Sequence, residues 1–210
     1  MEWLHKIKEG ALDILLPKKC VGCGREGKYL CQKCSLFLSE APLIFPGGGL
    51  VEVISIWEYE GVIKKLIHQI KYQGLTDAIT ELVERVFELW EMNIPEDTYI
   101  TYVPMEKKKE KKRGFNQAEL IAEELGKILG KKVVPLLRKV RETRSQTELN
   151  EEERLINVKN AFSAISKVLP DNVLLVDDIW TTGATMKECS KVLKKAGVKN
   201  IFGFTLARTI

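Results

Sequence analysis

Val173-Leu-Leu-Val-Asp-Asp-Ile-Trp-Thr-Thr-Gly-Ala-Thr185 is the stretch that decides how this 210-residue chain folds. Four apolar residues in a row, too few for a helix and bounded by Pro170 and by acids, read as a buried strand of a parallel sheet. Asp177 and Asp178 stand where that strand ends. The loop after them is small and hydroxylated: Thr181, Thr182, Gly183, Ala184 and Thr185. Met186, Cys189, Leu193 and Ala196 then recur at helical spacing, and Gly197 closes the helix. Backbone N–H groups at a helix start, together with hydroxyls, make a seat for a phosphate. The neighbouring carboxylates repel that phosphate, but they accept hydrogen bonds from sugar hydroxyls or hold water around Mg²⁺. Such a site suits a sugar phosphate. The plainer reading is a strand–turn–helix whose acids merely cap the helix.

The pattern repeats upstream. Thr98–Val103 reads as a strand ended by Pro104, and a basic loop follows at 106–113. Asn116, with Glu119 three residues on, marks the N-terminus of a helix whose buried face carries Ala118, Ile121, Ala122, Leu125, Ile128 and Leu129. In α/β proteins a loop at a carboxyl strand end is where ligands bind, and the basic, glycine-bearing Arg113-Gly114 suits pyrophosphate. Residues 106–113 hold six bases and two acids, which equals the +4 excess of the whole chain. The loop is either a phosphate-tracking patch for nucleic acid or a solvated surface. Val133–Leu137, Ala161–Ile165 and Asn200–Leu206 are further strand candidates. Between the first two, Arg138 to Asn160 is a long polar run. It reads as a lid or binding loop, or as a solvated helix around 151–158.

Towards the N-terminus, Val51–Tyr59 alternates like a strand, and 61–72 and 76–92 follow a helical period. His68 lies between Ile67 and Ile70, and His5 is the only other histidine, which argues against a histidine-based site. Pro42–Gly49 is a linker, with a domain boundary placed between residues 45 and 46. Before it come Cys20-Val-Gly-Cys23 and Cys31-Gln-Lys-Cys34. Two such pairs read as a closed four-thiolate zinc site, with redox chemistry or two disulfides as alternatives. A closed shell has no open coordination position, so its role is structural or partner-facing. Gly22 and Gly24 let the first knuckle turn, and 24–30 is expected to be one small hairpin. Cys189 falls on the apolar side of its helix and reads as core. Residues 2–16 place Trp3, Leu4, Ile7, Ala11, Ile14 and Leu15 on one helical face.

A chain 45% hydrophobic and 30% charged has enough apolar material for a core. No apolar run approaches the roughly 20 residues of a membrane span. Lys6, Lys8, Glu9 and Asp13 interrupt any signal-peptide pattern, so a cytoplasmic location is expected.

The stretch from Asp177 to Thr185 resembles the phosphoribosyl-pyrophosphate (PRPP) motif of type I phosphoribosyltransferases. Across nearly its full length the chain resembles the ComF (ComFC/GntX-like) family. The marks are the two Cys-x-x-Cys pairs, Lys71-Tyr72, Val103-Pro104, Arg113-Gly-Phe-Asn-Gln117, Gln146 with Leu149, Arg154-x-x-Asn157-Val158 and the Asp177–Thr185 loop. One departure is the lysine-rich segment after Pro104, which lacks the second proline usual there. The resemblance implies an α/β fold. Its type I phosphoribosyltransferase-like parallel sheet, flanked by helices, would span 46–210, and a small zinc-ribbon-like module would occupy 1–45. It implies PRPP with Mg²⁺ as ligand: Asp177 and Asp178 on the ribose hydroxyls, Thr181, Thr182, Gly183, Ala184 and Thr185 around the 5′-phosphate, and Arg113 and Gly114 near pyrophosphate. Cys20, Cys23, Cys31 and Cys34 would hold structural Zn²⁺. The family implies a role in natural competence and in handling single-stranded DNA, with helicase-type and recombination partners. Two roles therefore stand: a phosphoribosyltransferase whose acceptor is unknown, and a non-catalytic PRPP-sensing or DNA-binding adaptor.

Overall fold

The computed structural model describes residues 17–89, 94–143, 150–166 and 169–210. The amphipathic pattern of 2–16, and Gln146 with Leu149, lie outside these. Four strands form one parallel sheet in the order β1-β6-β5-β2: β1 Val53–Glu58, β2 Tyr99–Tyr102, β5 Asn172–Trp180 and β6 Asn200–Arg208. Val173–Val176, the run of four hydrophobics, lies at the centre of this sheet and is fully buried. A parallel strand covered on both faces has no polar alternation to show, which is why its sequence is continuous rather than alternating. Strand β5 runs on through both acids as far as Trp180, longer than the sequence pattern suggests. Paired neighbours on β6 keep the ladder going past Val176.

On one face pack α2 (Gly61–Gln73), α3 (Asp77–Leu89) and α5 (Gln117–Leu129). Their Ile63, Leu66, Ile67, Leu82, Ile121 and Leu125 meet Leu174, Val176 and Phe204. On the other lies α7 (Ala184–Lys195), whose Met186, Cys189 and Leu193 pack with Val173, Leu175 and Ile201. Cys189 is completely buried among them, as its helical position predicts. Over this side sits a small antiparallel pair, β3 (Leu137–Lys139) and β4 (Phe162–Ala164), with α6 (Glu151–Val158) between them in sequence. The expected strand at Val133–Leu137 is displaced. Val133 makes a single parallel bridge to Ile100, Pro135 has no N–H to continue a ladder, and regular pairing resumes at Leu137. Helix α6 opens on a full capping box between Asn150 and Glu153. The surface helix expected around 151–158 is formed; residues 144–149 of the same polar run, part of the lid reading, lie outside the described residues.

The basic loop is a helix as well, α4 (Lys107–Arg113), closed by Gly114 in the left-handed region. Lysine and glutamate are good helix formers, and the charge run conceals that propensity by having no buried face.

The cysteine module is docked on the main body. Short α1 (Gln32–Ser35) carries its last ligand position. Glu81 of α3 accepts the Tyr29 N–H at 2.8 Å and the Leu30 N–H at 3.4 Å, Arg85 donates to Ser35 Oγ at 2.7 Å, and Leu30 joins the main core. From there the chain runs back along β1 in the antiparallel sense: Ala41 N–H bonds Ile56 O, and Ile44 and Val53 exchange both bonds. No described helix is long and apolar enough to cross a membrane.

Candidate functional site

Because β5 continues through Asp177 and Asp178, their side chains leave opposite faces of the sheet. Each acid meets a different environment. Asp178, 6% exposed, forms a buried ion pair with Lys71 Nζ of α2, and Gln117 Nε2 of α5 donates to its Oδ1 at 3.4 Å. Burial raises a carboxyl pKa, but the Lys71 charge and these bonds hold Asp178 below the usual carboxylate range. Lys71 is pushed up: burial works against its charge, and Asp178 more than offsets that. Asp177 behaves in the opposite way. Burial and the adjacent Asp178 charge raise it well above normal, and the Asp178 N–H, donating to its Oδ1 at 2.9 Å, offsets only part of this. One acid of the pair is ionised and partnered; the other resists ionisation.

Arg113, at the end of α4, reaches the same network. Its Nη1 donates to Gln117 Oε1 at 2.5 Å, and its guanidinium lies over the Tyr72 ring at 5.5 Å. Gln117 thus bridges Arg113 to Asp178. Asn116 caps α5 by accepting the Ala118 N–H at 3.1 Å, as its position predicts. Glu119 does not complete a capping box, because its carboxylate takes the Tyr102 hydroxyl at 2.5 Å.

Beyond the acids, Gly183 adopts φ +72° and starts α7. A Cβ there would lie 2.1 Å from the Trp180 ring, so only glycine allows the loop to fold back over that indole. Ala184 N–H points to Thr182 Oγ1 at 3.3 Å, and Thr181, Thr182 and Thr185 are half-buried around the helix start. The half-buried Lys139 of β3 donates to Thr143 Oγ1 at 2.7 Å, and burial with Lys109 nearby lowers its pKa.

The structure therefore joins Arg113, Asp177 and Asp178 in one neighbourhood with the threonine loop, and adds Lys71, Tyr72 and Gln117. Lys71 and Gln117 belong to quoted sequence marks, but periodicity gives neither a role at the acids. A hydroxylated helix start, a carboxylate pair and two cations can bind a phosphate, a sugar diol and a second anion together.

The second candidate site is the cysteine cluster. Sγ atoms of Cys20, Cys23, Cys31 and Cys34 lie within 4.8 Å of one another, and none is in a disulfide. Gly22 is required here: a Cβ would sit 2.8 Å from Cys34 Sγ. Burial raises the Cys20 thiol, but N–H groups of Cys31, Cys23 and Gly22 bring it down to about 6. Desolvation and the sulfurs of Cys23, Cys20 and Cys31 push Cys34 up to about 12. Four thiols this close cannot all ionise without a cation between them, and the donor set fits a soft tetrahedral metal. The hairpin expected over 24–30 is displaced: the antiparallel bridge joins Lys19 to Glu26 and so encloses the first cysteine pair, with Val21 N–H reaching Tyr29 O at 3.0 Å.

Residues 111–208 match the family described as phosphoribosyl transferase domain. Over 203 residues the chain is 32% identical to competence protein F of Haemophilus influenzae, covering 90% of this chain and 84% of that protein. It is 30% identical to competence protein ComFC of Streptococcus pneumoniae (91% and 81% covered) and 27% identical to DNA utilization protein YhgH of Salmonella typhi (91% and 89% covered).

Proposed function

This chain belongs to the ComF family, whose members carry a phosphoribosyltransferase-type domain, and from that premise we propose that it binds Mg²⁺–PRPP and transfers the phosphoribosyl group. One observation carries this reading: the Asp177–Asp178 pair, the Gly183-folded threonine loop and the Arg113–Gln117 bridge share one end of the sheet. Thr181–Thr185 hold the 5′-phosphate with the α7 N–H groups. Asp177, which has no cation bound to it among the described residues, accepts a ribose hydroxyl, and Asp178 supports it from across the strand. Arg113 meets the pyrophosphate, while Lys71 stays buried on Asp178 and holds that acid in place. Transfer breaks the C1–O bond, and its electron pair leaves with pyrophosphate. An acceptor lone pair forms the new bond, its proton passing to solvent. Fixed cations lower the barrier by matching the charge that develops on the leaving group. Mg²⁺ would enter with PRPP, with Asp177 as the residue beside which it would be held, and would supply charge neutralisation for the leaving pyrophosphate.

Cys20, Cys23, Cys31 and Cys34 hold one structural zinc ion. Free thiols of this kind suit a reducing cytoplasm, and relatives named competence protein F and DNA utilization protein YhgH support a role in competence and DNA utilisation.

The test is thermal. Mg²⁺–PRPP raises Tm of the native protein, and Asp177→Asn removes most of that rise. Equal stabilisation of both proteins overturns the reading.

A second reading, a single-stranded-DNA-binding adaptor for helicase or recombination proteins, has one observation in its favour. All five lysines of α4 are exposed, and among the described residues only Lys108 has an acidic partner, Glu142 at 2.6 Å.

A further inference from the structure

On the far side of the threonine loop lies an open cleft of about 640 Å³, lined by Leu43, Phe45, Pro46, Trp180, Thr182, Lys187 and Arg208. Its size falls within the roughly 300–1,000 Å³ of small-molecule sites. Arg208 is the unusual member. It ends β6 opposite Trp180, is only 9% exposed, and among the described residues its guanidinium donates to no carboxylate or carbonyl. Glu58 faces it in register on β1, yet the two make no ion pair. Arginine cannot shed its charge, and a guanidinium that reaches the solvent of the cleft without a protein partner is free to take an anion. A second cation stands nearby: Lys187 Nζ lies 5.7 Å over the Trp180 ring. Apart from Thr182 and Thr209 the remaining wall is apolar, with Phe45 left 72% exposed. Cations at one end and flat apolar surface at the other match a planar ring bearing a negative group.

We infer that this cleft binds a heteroaromatic anion, with the charged group on Arg208 and Lys187 and the ring against Phe45 and Pro46. Thr182 belongs both to the cleft and to the loop that seats the 5′-phosphate. Resting on the transferase reading, the cleft is then a neighbour of the phosphate seat, apart from the reacting centre at Asp177 and Arg113, and its ligand class is a ring acid rather than a neutral base.

Calorimetric titration of the full chain without PRPP tests this, using orotate and nicotinate against their neutral counterparts uracil and nicotinamide, with inorganic phosphate as control. At least one ring anion is expected to bind ten-fold or more tightly than both its neutral counterpart and phosphate. Arg208→Gln lowers that affinity at least ten-fold. Because so buried a change can unfold the protein, Lys187→Glu and Phe45→Ser, both at the rim, must each weaken it as well. The cleft proposal is overturned if neither ring anion binds, if neutral rings bind equally, if phosphate alone matches the anions, or if the rim variants bind like wild type. The PRPP melting shift is read separately on wild type. Ring binding without that shift keeps the cleft and removes the phosphate seat beside it; the shift without ring binding removes the cleft alone.

Discussion

The Lys71–Asp178 pair is buried on both sides, with 18% and 9% of the side chains exposed. Removing one partner strands the other in a medium that solvates it poorly. Lys71→Met is therefore expected to cost about 3 kcal/mol, measured by denaturant unfolding, because Asp178 is left without its counter-charge. The pH dependence has a definite sign. Asp178 is lowered in the native state, so its contribution is complete above the ordinary carboxylate range near 4 and fades as pH falls through the native value. Lys71 is raised, so its contribution is complete below the ordinary lysine value near 10.4 and fades as pH rises through the native one. Stability from the pair is flat between those limits; Lys71→Met removes the alkaline flank and reverses the acid one, because burial without Lys71 raises the Asp178 carboxyl. Asp177 has the reverse sign: raised in the native state, it costs stability once pH exceeds the ordinary carboxylate range. Asp177→Asn should thus leave Tm at pH 7 unchanged or higher while losing the PRPP shift. A fall in Tm would assign Asp177 a structural role.

Two elements make opposite demands on their sequences. The loop into α7 depends on one glycine, since Gly183 combines φ +72° with the Trp180 ring against its α-carbon. Gly183→Ala carries about 1–2 kcal/mol of left-handed strain before any displacement of the indole. At about 2–4 °C per kcal/mol for a chain of this size, Tm is expected to fall by several degrees, readable by circular dichroism. Helix α4 depends on no single side chain, having no buried residue. Replacing Lys107, Lys108, Lys109, Lys111 and Lys112 with Ser should leave the fold standing. If the helix tracks single-stranded DNA, each phosphate it neutralises adds about 0.7 to the salt slope of log affinity. The variant then flattens the slope by about 3, whereas an unchanged slope removes α4 from any DNA contact. These elements also show what sequence reveals. A continuous apolar run, a cap at Asn116 and a stop at Gly130 are local signals, so β5 and α5 were legible. The basic helix was not, because a helix with no apolar face has no period to read. Lys71 was not assigned to the acids either: it follows Ile70 in the chain, and only the packing of α2 against β5 brings it to Asp178. Arg208 gave no signal at all, since absence of a partner is a property of three dimensions.

At the scale of the whole molecule, the two cysteine pairs announced a four-sulfur cluster able to hold a metal, but not how firmly its module is attached. Leu30 in the main core and the paired amides on Glu81 tie the module to α3. Elemental analysis is expected to find one zinc per chain. Cys31→Ser should abolish it and unfold the module, since ligation energy is folding energy in so small a unit. The remaining domain should stay folded with a lower Tm, because Leu30 and the Glu81 contacts go with it. Protein purified under metal-clean conditions without zinc, yet with unchanged Tm, would refute this.

The return strand from that module has a consequence for the protein's life in solution. Parallel sheets end in strands whose free N–H and C=O groups can template the addition of another chain. Here the β1 border is occupied by residues 39–44 and the β2 border is touched by Val133. The β1 cover is continuous with the cysteine module, so losing the metal would loosen the guard on a hydrophobic strand, Val-Ile-Ser-Ile-Trp, built to pair. Metal starvation would then be felt first as self-association, visible by light scattering while the sheet is still intact.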